Sequence, residues 1–406
     1  MSANPVNAWD ELVLAATETT LGVTPAPAST AAYGLLAVEA IACSLGGAEA
    51  GIVRAKQDRA VGRDETSGFV EGRVMPREWT FDTSMKSRAA VDTASPLLPF
   101  LRSAGLLHTI NGGSNVTITA PGQPLEGGAF AGVSLTRFLG NGLAVHEAEV
   151  LRGCVAKSLR LEGGGSELMA KFAGVGIGKT TAAGQAGVLG RIDSITLASG
   201  VVTSLTITAE ESYRLGLGYY QCEAEVIQVT ACTPGGTSAT IVRGALGSTA
   251  AAHTAQPLVP FRPTPTFTGS PIAEPVSTVT LGGVATRVRS WSVDITTGMD
   301  LLEPETGSRY SQGAKYTRTA VKVQMQMVLS GDAVSMMGKA TARPNLALAL
   351  VQGTGAGGIV TFNAPNCEIV TFNPPDTASD IAIVDVSLRV RGGTGNGNDA
   401  FNIVLT

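Results

Sequence analysis

Charge is scarce in this chain. Lys, Arg, Asp and Glu make up 15% of its 406 residues, against about 25% in an average domain. A lone monomer ordinarily carries more, so much of the surface is expected to be hidden in an assembly. The net charge of −4 argues against a nucleic-acid reader, which would carry a basic patch. Aromatic residues are only 5%, which is little for the stacking surfaces of a carbohydrate binder. The five cysteines (Cys43, Cys154, Cys222, Cys232, Cys367) are odd in number and contain no CxxC pair. They read as free buried thiols of a reducing cytoplasm. No apolar run approaches 18 residues, so no membrane span is expected. The N-terminus has no basic region leading into an apolar core, so no signal peptide is expected either.

Catalytic constellations are also missing. His108, His146 and His253 lie far apart without metal-ligand spacing, and there is no GxSxG. The sequon at Asn115 carries no meaning without secretion. One motif tempts: AGVGIGKT, Ala173 to Thr180, matches a loose P-loop with Ala173 in place of the first glycine. A P-loop needs a helix start whose N–H groups cradle phosphates. The following TTAAGQAGVLG is a poor helix, and no Walker B strand stands out. A hairpin end leading into a linker is the better reading. The expectation is a protein that is not an enzyme and has no cofactor and no metal.

What is present is β-structure. Fifty glycines and 44% hydrophobic residues suit strands and tight turns, and the length allows two or three domains. The stretch from Glu149 to Phe172 reads as a long hairpin. Val155, Leu159 and Leu161 alternate with Ala156, Ser158, Arg160 and Glu162. After glycines 163 to 165, Leu168, Ala170 and Phe172 alternate with Glu167, Met169 and Lys171. This is the pattern of a half-buried antiparallel hairpin, and its polar side suits either a wall along which something slides or a solvated sandwich. A second pair follows later. Trp291, Val293 and Ile295 alternate with Ser290, Ser292, Asp294 and Thr296; Val321, Val323, Met325, Met327 and Leu329 alternate with Lys322, Gln324 and Gln326.

Residues 1–33, rich in Thr and Pro, read as an arm that wanders or packs on a neighbouring subunit, with a short strand or turn over Trp9 to Ala16. Arg54, Lys56, Asp58, Arg59, Arg63, Asp64 and Glu65 crowd into an exposed loop or hairpin tip, either solvated or a subunit contact. Phe69 to Lys86 is a strand pair with Trp79 and Phe81 on one side. A helix is expected with Ser95 as N-cap, Pro96 at its first position and Gly105 as its stop. Further strands are expected at Val116–Ile118, Ala129–Phe138, Leu346–Val351, Cys367–Phe372 and Ile381–Val390, and Asp332 is a cap for a short helix through Met337. Residues 175–265 differ in texture. Strands at Ile192–Leu197, Val201–Thr208, Gln221–Val229 and Ser238–Val242, closed by the stiff PLVPFRPTPTF, read as an inserted β domain. It divides a main domain into parts at 34–174 and 266–406.

The order of segments is that of a known family: the ETTLGVTP arm, FVEGRVMPREWTF, the helix PLLPFLRSAG, GCVAKSLRLEGGGSELMAKF, then RSWSVDITTGMD and GGIVTFNAPNCEIVTF…IAIVDVSLRVRGG. Over residues 10 to 174 and 265 to 406 the chain resembles major tail tube proteins of long-tailed, siphovirus-type bacteriophages. The resemblance implies a mainly β fold, a tail-tube-type β-sandwich with long hairpins forming a ring barrel and one or two short flanking helices. It also implies six subunits per ring, rings stacked into a tube for DNA, and a tape measure protein and tail terminator as partners. Location in the virion tail after assembly in the host cytoplasm follows from it. The segment at 175–265 departs from simple tube proteins; its ATIVRGALGSTAAAHTAQPLV resembles a small β module that recurs in phage virion proteins, expected outside the tube. On this resemblance Ser158, Arg160, Glu162, Glu167, Lys171, Ser290, Ser292, Asp294, Lys322, Gln324 and Gln326 are expected to line the lumen. Arg54, Lys56, Asp58, Arg59, Arg63, Asp64 and Glu65 are expected to meet the adjacent ring, with Glu303 and Glu305 among their partners. The alternatives are a β-sandwich decoration protein or host-binding adhesin and, on the 173–180 match alone, a nucleotide hydrolase.

Overall fold

The computed structural model describes residues 12–18, 21, 42–45, 52–56, 69–74, 76–121, 132–140, 147–164, 167–177, 188–263, 269–272, 277–302, 313–328, 338–342, 344–373, 382–393 and 399–406. It is mainly β, with large antiparallel sheets, one of them nearly closed into a barrel. No helix among the described residues is long and apolar enough to cross a membrane.

The first part of the chain comprises β1 (Leu12–Thr17), β2 (Ala42–Ser44), β3 (Ile52–Lys56), β4 (Phe69–Val74), β5 (Arg77–Ser84), α1 (Leu98–Ser103), β6 (Leu107–Asn111), β7 (Asn115–Thr119), β8 (Val133–Leu139), β9 (Glu147–Gly163), β10 (Met169–Gly176) and β11 (Val188–Gly190). A middle part holds β12 (Ile192–Leu197), β13 (Ser204–Thr206), α2 (Ala209–Ser212), β14 (Gly218–Cys222), β15 (Glu225–Cys232), β16 (Ser238–Val242) and β17 (His253–Pro260). The last part holds β18 (Ser277–Leu281), β19 (Val284–Thr286), β20 (Val288–Thr296), β21 (Met299–Leu301), β22 (Ala314–Tyr316), β23 (Ala320–Val328), β24 (Leu346–Gln352), β25 (Val360–Phe372), β26 (Ile383–Val390) and β27 (Asn402–Leu405).

The first and last parts follow one plan. β1 pairs with β8 as β18 pairs with β24. β2 pairs with β5 as β20 pairs with β23. The orders β5–β10–β9–β8 and β23–β26–β25–β24 match strand for strand, and β11 joins β9 as β27 joins β25. Between the second and third strands of each plan lies a separate two-stranded sheet, β3–β4 and β21–β22. Before the equivalent strands β8 and β24 lies a short helix, α1 and residues 338–342.

The match extends to irregularities. Val133 opposes Cys154 and Leu135 opposes Leu151, with a register shift between; Leu346 opposes Cys367 and Leu348 opposes Ala364, with the same shift. Each of these four positions differs from its counterpart by 213 in number (346 less 133, 367 less 154). The bulge that leaves Lys157 unpaired against β10 recurs at Val370 against β26. The two buried thiols match as well: Cys154 Sγ donates to Leu151 O at 3.6 Å and Cys367 Sγ to Ala364 O at 3.7 Å. Bulges are placed features of a sheet, so a shared bulge inside a shared pairing order marks an internal repeat. We call the parts repeat 1 and repeat 2. They join through β9 against β20 and β7 against β27, and one hydrophobic core runs through both.

Period-2 alternation sets the buried faces. Val321, Val323, Met325 and Met327 of β23 are buried while Lys322, Gln324 and Gln326 are exposed. In repeat 1, Phe100 of α1 stacks on Phe81 and Phe172, with ring centroids 4.5 and 5.0 Å apart. The helix starts later than expected. Leu97, not Ser95, holds the N-cap position and Pro99 lies in the first turn. Ser95 Oγ still accepts the Leu97 N–H at 3.2 Å.

Other expectations change. Leu12–Thr17, placed in an arm by composition, is a strand of the chain's own sheet with Val13 to Ala16 buried. Gln221–Val229 is a hairpin, because Glu223 adopts φ 53° and turns the chain. Thr208 is the cap of α2, where its hydroxyl and Glu211 form a reciprocal capping box. Pro257 to Pro260, read as linker, belong to β17. The Asp332 cap lies outside the described residues. The middle six-stranded sheet sits at the junction between the repeats and does not interrupt either. Its core is continuous with Leu14, Phe138, Ala148 and Leu189 on β1, β8, β9 and β11, and Arg262 donates to Gly140 O at 2.9 Å.

Candidate functional site: a polar sheet face

The two hairpins singled out by alternation, β9–β10 and β20–β23, lie side by side because β9 pairs with β20. Their polar sides therefore form one face, extended by β5 and by β26 and β25. Register aligns it in rows. One row runs Asp82, Lys171, Arg160, Asp294, Lys322, Arg389, Glu368 across seven strands. The next runs Ser84, Met169, Glu162, Ser292, Gln324, Ser387, Thr371. Ser290, Gln326 and Asp385 begin a third, and Ser158 stands opposite Thr296 on the other flank.

All eleven expected wall residues lie at this face. Ser158, Arg160, Glu162, Lys171, Ser290, Asp294, Lys322, Gln324 and Gln326 are at least partly exposed on it. Ser292 is on the same face but only 7% exposed, since its row places it between the longer Glu162 and Gln324. Glu167 lines the same trough, which has a volume of about 620 Å³. Asp385, Ser387, Arg389 and Glu368 complete the face. The alternation in Ile381–Val390 signalled the first three, but only strand pairing shows that β26 borders β23.

Electrostatically the face carries both signs with an acidic excess. The cations Lys171, Arg160, Lys322 and Arg389 stand among the carboxylates Asp82, Glu162, Glu167, Asp294, Glu368 and Asp385. Glu162 accepts from Arg160 and Lys171, each at 2.6 Å, and Arg160 also approaches Asp294 at 3.4 Å. Ser290 Oγ donates to Gln326 Oε1 at 3.0 Å. No residue in these rows is aromatic, and Trp291, at the floor of the trough, is buried.

Arg54 and Lys56 lie on β3, whose partner is β4. Asp58, Arg59, Arg63, Asp64, Glu65, Glu303 and Glu305 lie outside the described residues. The P-loop-like segment is a strand where described: Ala173 to Gly176 pair with β9 and β5. Its Gly174 serves packing, because a Cβ there would meet Val155 O at 2.0 Å.

A second polar cluster, unforeseen, lies in the middle sheet. Glu225, 1% exposed, accepts from Arg243 Nε and Nη2 at 2.7 and 2.8 Å, from the Gly244 amide at 2.9 Å and the Ala251 amide at 3.1 Å. His253 Nε2 lies 2.8 Å from Glu225 and its Nδ1 2.8 Å from Glu223. Desolvation pushes the Glu225 pKa up, but the bonds from Arg243, the two amides and His253 outweigh it and hold the carboxyl at about 2. Arg243 and His253 are the two ionisable residues of the ATIVRGALGSTAAAHTAQPLV segment, so half of the cluster was visible in the sequence. Its partner Glu225, in a different strand, was not visible. Among the described residues no group of His, Cys, Asp or Glu is arranged to hold a metal. No protein-family model matches the sequence, and no curated protein matches it.

Proposed function

We propose that this protein is a structural subunit of a phage tail tube: copies join side by side into rings, rings stack, and the polar face lines the channel through which DNA leaves the virion. The observation that carries the reading is the continuous face of seven strands, built from both repeats, with polar side chains and charges of both signs in acidic excess. A polyanion sliding over Lys or Arg left unpaired would release counterions and bind. Here Arg160 and Lys171 are engaged by Glu162 and Asp294, which lowers that attraction. Sequence-independent passage needs neither base contacts nor stacking, and the rows offer none. Stacking of identical rings is a head-to-tail interface that repeats without closing along its axis. A tape measure protein inside the tube and a terminator at its end are the partners this reading brings with it.

The test is a phage carrying Asp294→Arg and Gln324→Arg together. Tubes are expected to form with normal length while DNA ejection slows and becomes salt-sensitive. Normal ejection from such particles would remove the lumen assignment, and it would turn attention to an externally displayed face.

A further inference from the structure

The two repeats are joined edge to edge, but the same two edges recur at the outer ends of the chain. In the internal joint, the C-terminal half of β9 (Ser158 to Gly163) pairs with β20. The equivalent half of β25 begins at Thr371, and Thr371 and Phe372 pair with β26 on one side. Its other side has no partner among the described residues, because β24 reaches only to Cys367. The equivalent of β20 is β2. It pairs with β5 on one side and with nothing among the described residues on the other. Among the described residues, β25 and β2 thus present the two complementary halves of this joint.

Backbone direction fits this. In the internal joint the carbonyl of the bulge residue Lys157 points at repeat 2 and accepts from Thr297 N at 2.9 Å. At the open end Asn373 N donates inward to Asp385 O at 3.0 Å. Since successive residues of a strand direct their hydrogen-bonding groups to opposite sides, Phe372 directs its N–H and C=O outward. The edge is 49% exposed at Val370, the counterpart of Lys157. An unpaired edge with outward donors and acceptors recruits another strand.

We infer that the open edge of β25 in one copy pairs with β2 of a second copy, repeating the β9–β20 joint between chains. The excursions supply complementary chemistry. Within the chain, β21–β22 brings Met299, Leu301 and Tyr316 onto the apolar Val155 and Val175. The positions equivalent to Val155 and Val175 are Glu368 and Arg389. The excursion that would seat on them from the next copy, β3–β4, carries Arg54, Lys56, Glu71 and Arg73 in its sequence. A head-to-tail joint closes into a ring when its rotation divides a full turn. The ring size rests on the tail-tube reading: six tube units per ring, at two units per chain, make three chains.

The experiment is native mass spectrometry and electron microscopy of the assembled full-length protein, with hydrogen exchange on rings and on dissociated chains. Rings of three copies of the 41.4 kDa chain, about 124 kDa, with threefold symmetry and pseudo-sixfold density are expected. Exchange at residues 370–373 should slow by about tenfold or more on assembly, while residues 158–163 are protected in both states. Rings of six chains, or 370–373 exchanging equally in rings and dissociated chains, would overturn the joint and leave the tail reading standing. Three-chain rings that never stack would keep the joint and remove the tail reading. A chain that stays monomeric at high concentration would overturn both.

Discussion

The two repeats share a hydrogen-bond plan and few of the side chains that fill it. Register makes Trp79 equivalent to Val323, Phe81 to Met325 and Phe172 to Val386. Repeat 1 therefore packs rings face to face around Phe100, where repeat 2 has aliphatic chains and Met at the equivalent positions and stacks its own ring pair elsewhere, Phe362 on Phe401. The bulges, the bent long strand and the buried thiols are retained. The difference teaches that this architecture is specified by strand faces and register, and that a core of suitable volume can be met in more than one way. The edges differ as well: repeat 1 has its β9 edge satisfied inside the chain, whereas the β25 edge of repeat 2 has no second partner among the described residues.

The comparison can be broken most forcefully at the aromatic stack. Phe100→Ala should destabilise the chain by about 3–5 kcal/mol, whereas Met325→Leu in repeat 2 should cost less than about 1.5 kcal/mol. Paired denaturant titrations measure both, and equal losses would deny that the two cores differ in kind.

The middle sheet sharpens the contrast: its apolar core reaches Leu14, Phe138, Ala148 and Leu189 of repeat 1, and beside that core it buries an ion cluster. Glu225→Gln leaves Arg243 buried without its counter-charge and should cost about 3 kcal/mol in that sheet. The pH dependence has a definite sign. The folded carboxyl lies at about 2, below its ordinary 4.5. Its contribution is full above the ordinary value and is lost as pH falls through the folded one. Acid titration followed by the Tyr219 and Tyr220 environment should show the middle sheet losing stability from about pH 4.5 downward in the wild type, with that dependence weakened in the variant.

A smaller effect tests equivalence along β10 and β26. Gly174 corresponds to Leu388 by register, yet a Cβ at 174 would meet Val155 O at 2.0 Å and the Trp79 ring at 2.9 Å. Gly174→Ala should cost about 1–3 kcal/mol by overpacking; a neutral result on thermal unfolding would mean that the backbone of β9 at Val155 gives way freely. The smallest effect belongs to the face. Asp294→Asn removes a partly exposed pair with Arg160 at 3.4 Å and should shift stability by less than about 1 kcal/mol. A larger loss would mark the row as structural.

Much of the face was legible before folding. Alternation at Trp291–Ile295 and Val321–Met327 assigned inward and outward sides that the structure shows, because a half-buried strand writes its environment with period 2. The repeat was not legible. Its equivalences hold in register while the spacing between elements and the side chains both change, so Trp79 and Val323 do not announce a common position. Strand neighbours were equally hidden: nothing in Asp385 or Arg389 reveals that β26 borders β23. The Gln221–Val229 turn escaped because it rests on a positive φ at Glu223, a residue type that does not signal it. The capping box at Thr208 and Glu211 was visible and was read as the end of a strand.

The central claim is that the face shared by both repeats lines a channel. Cryo-electron microscopy of assembled tubes tests it most directly. The account predicts that the row residues Asp82, Lys171, Arg160, Asp294 and Lys322 form the inner wall, with Arg389 and Glu368 at its margin where the next chain joins. Tubes in which that row faces outward, or is buried between stacked rings, would contradict it.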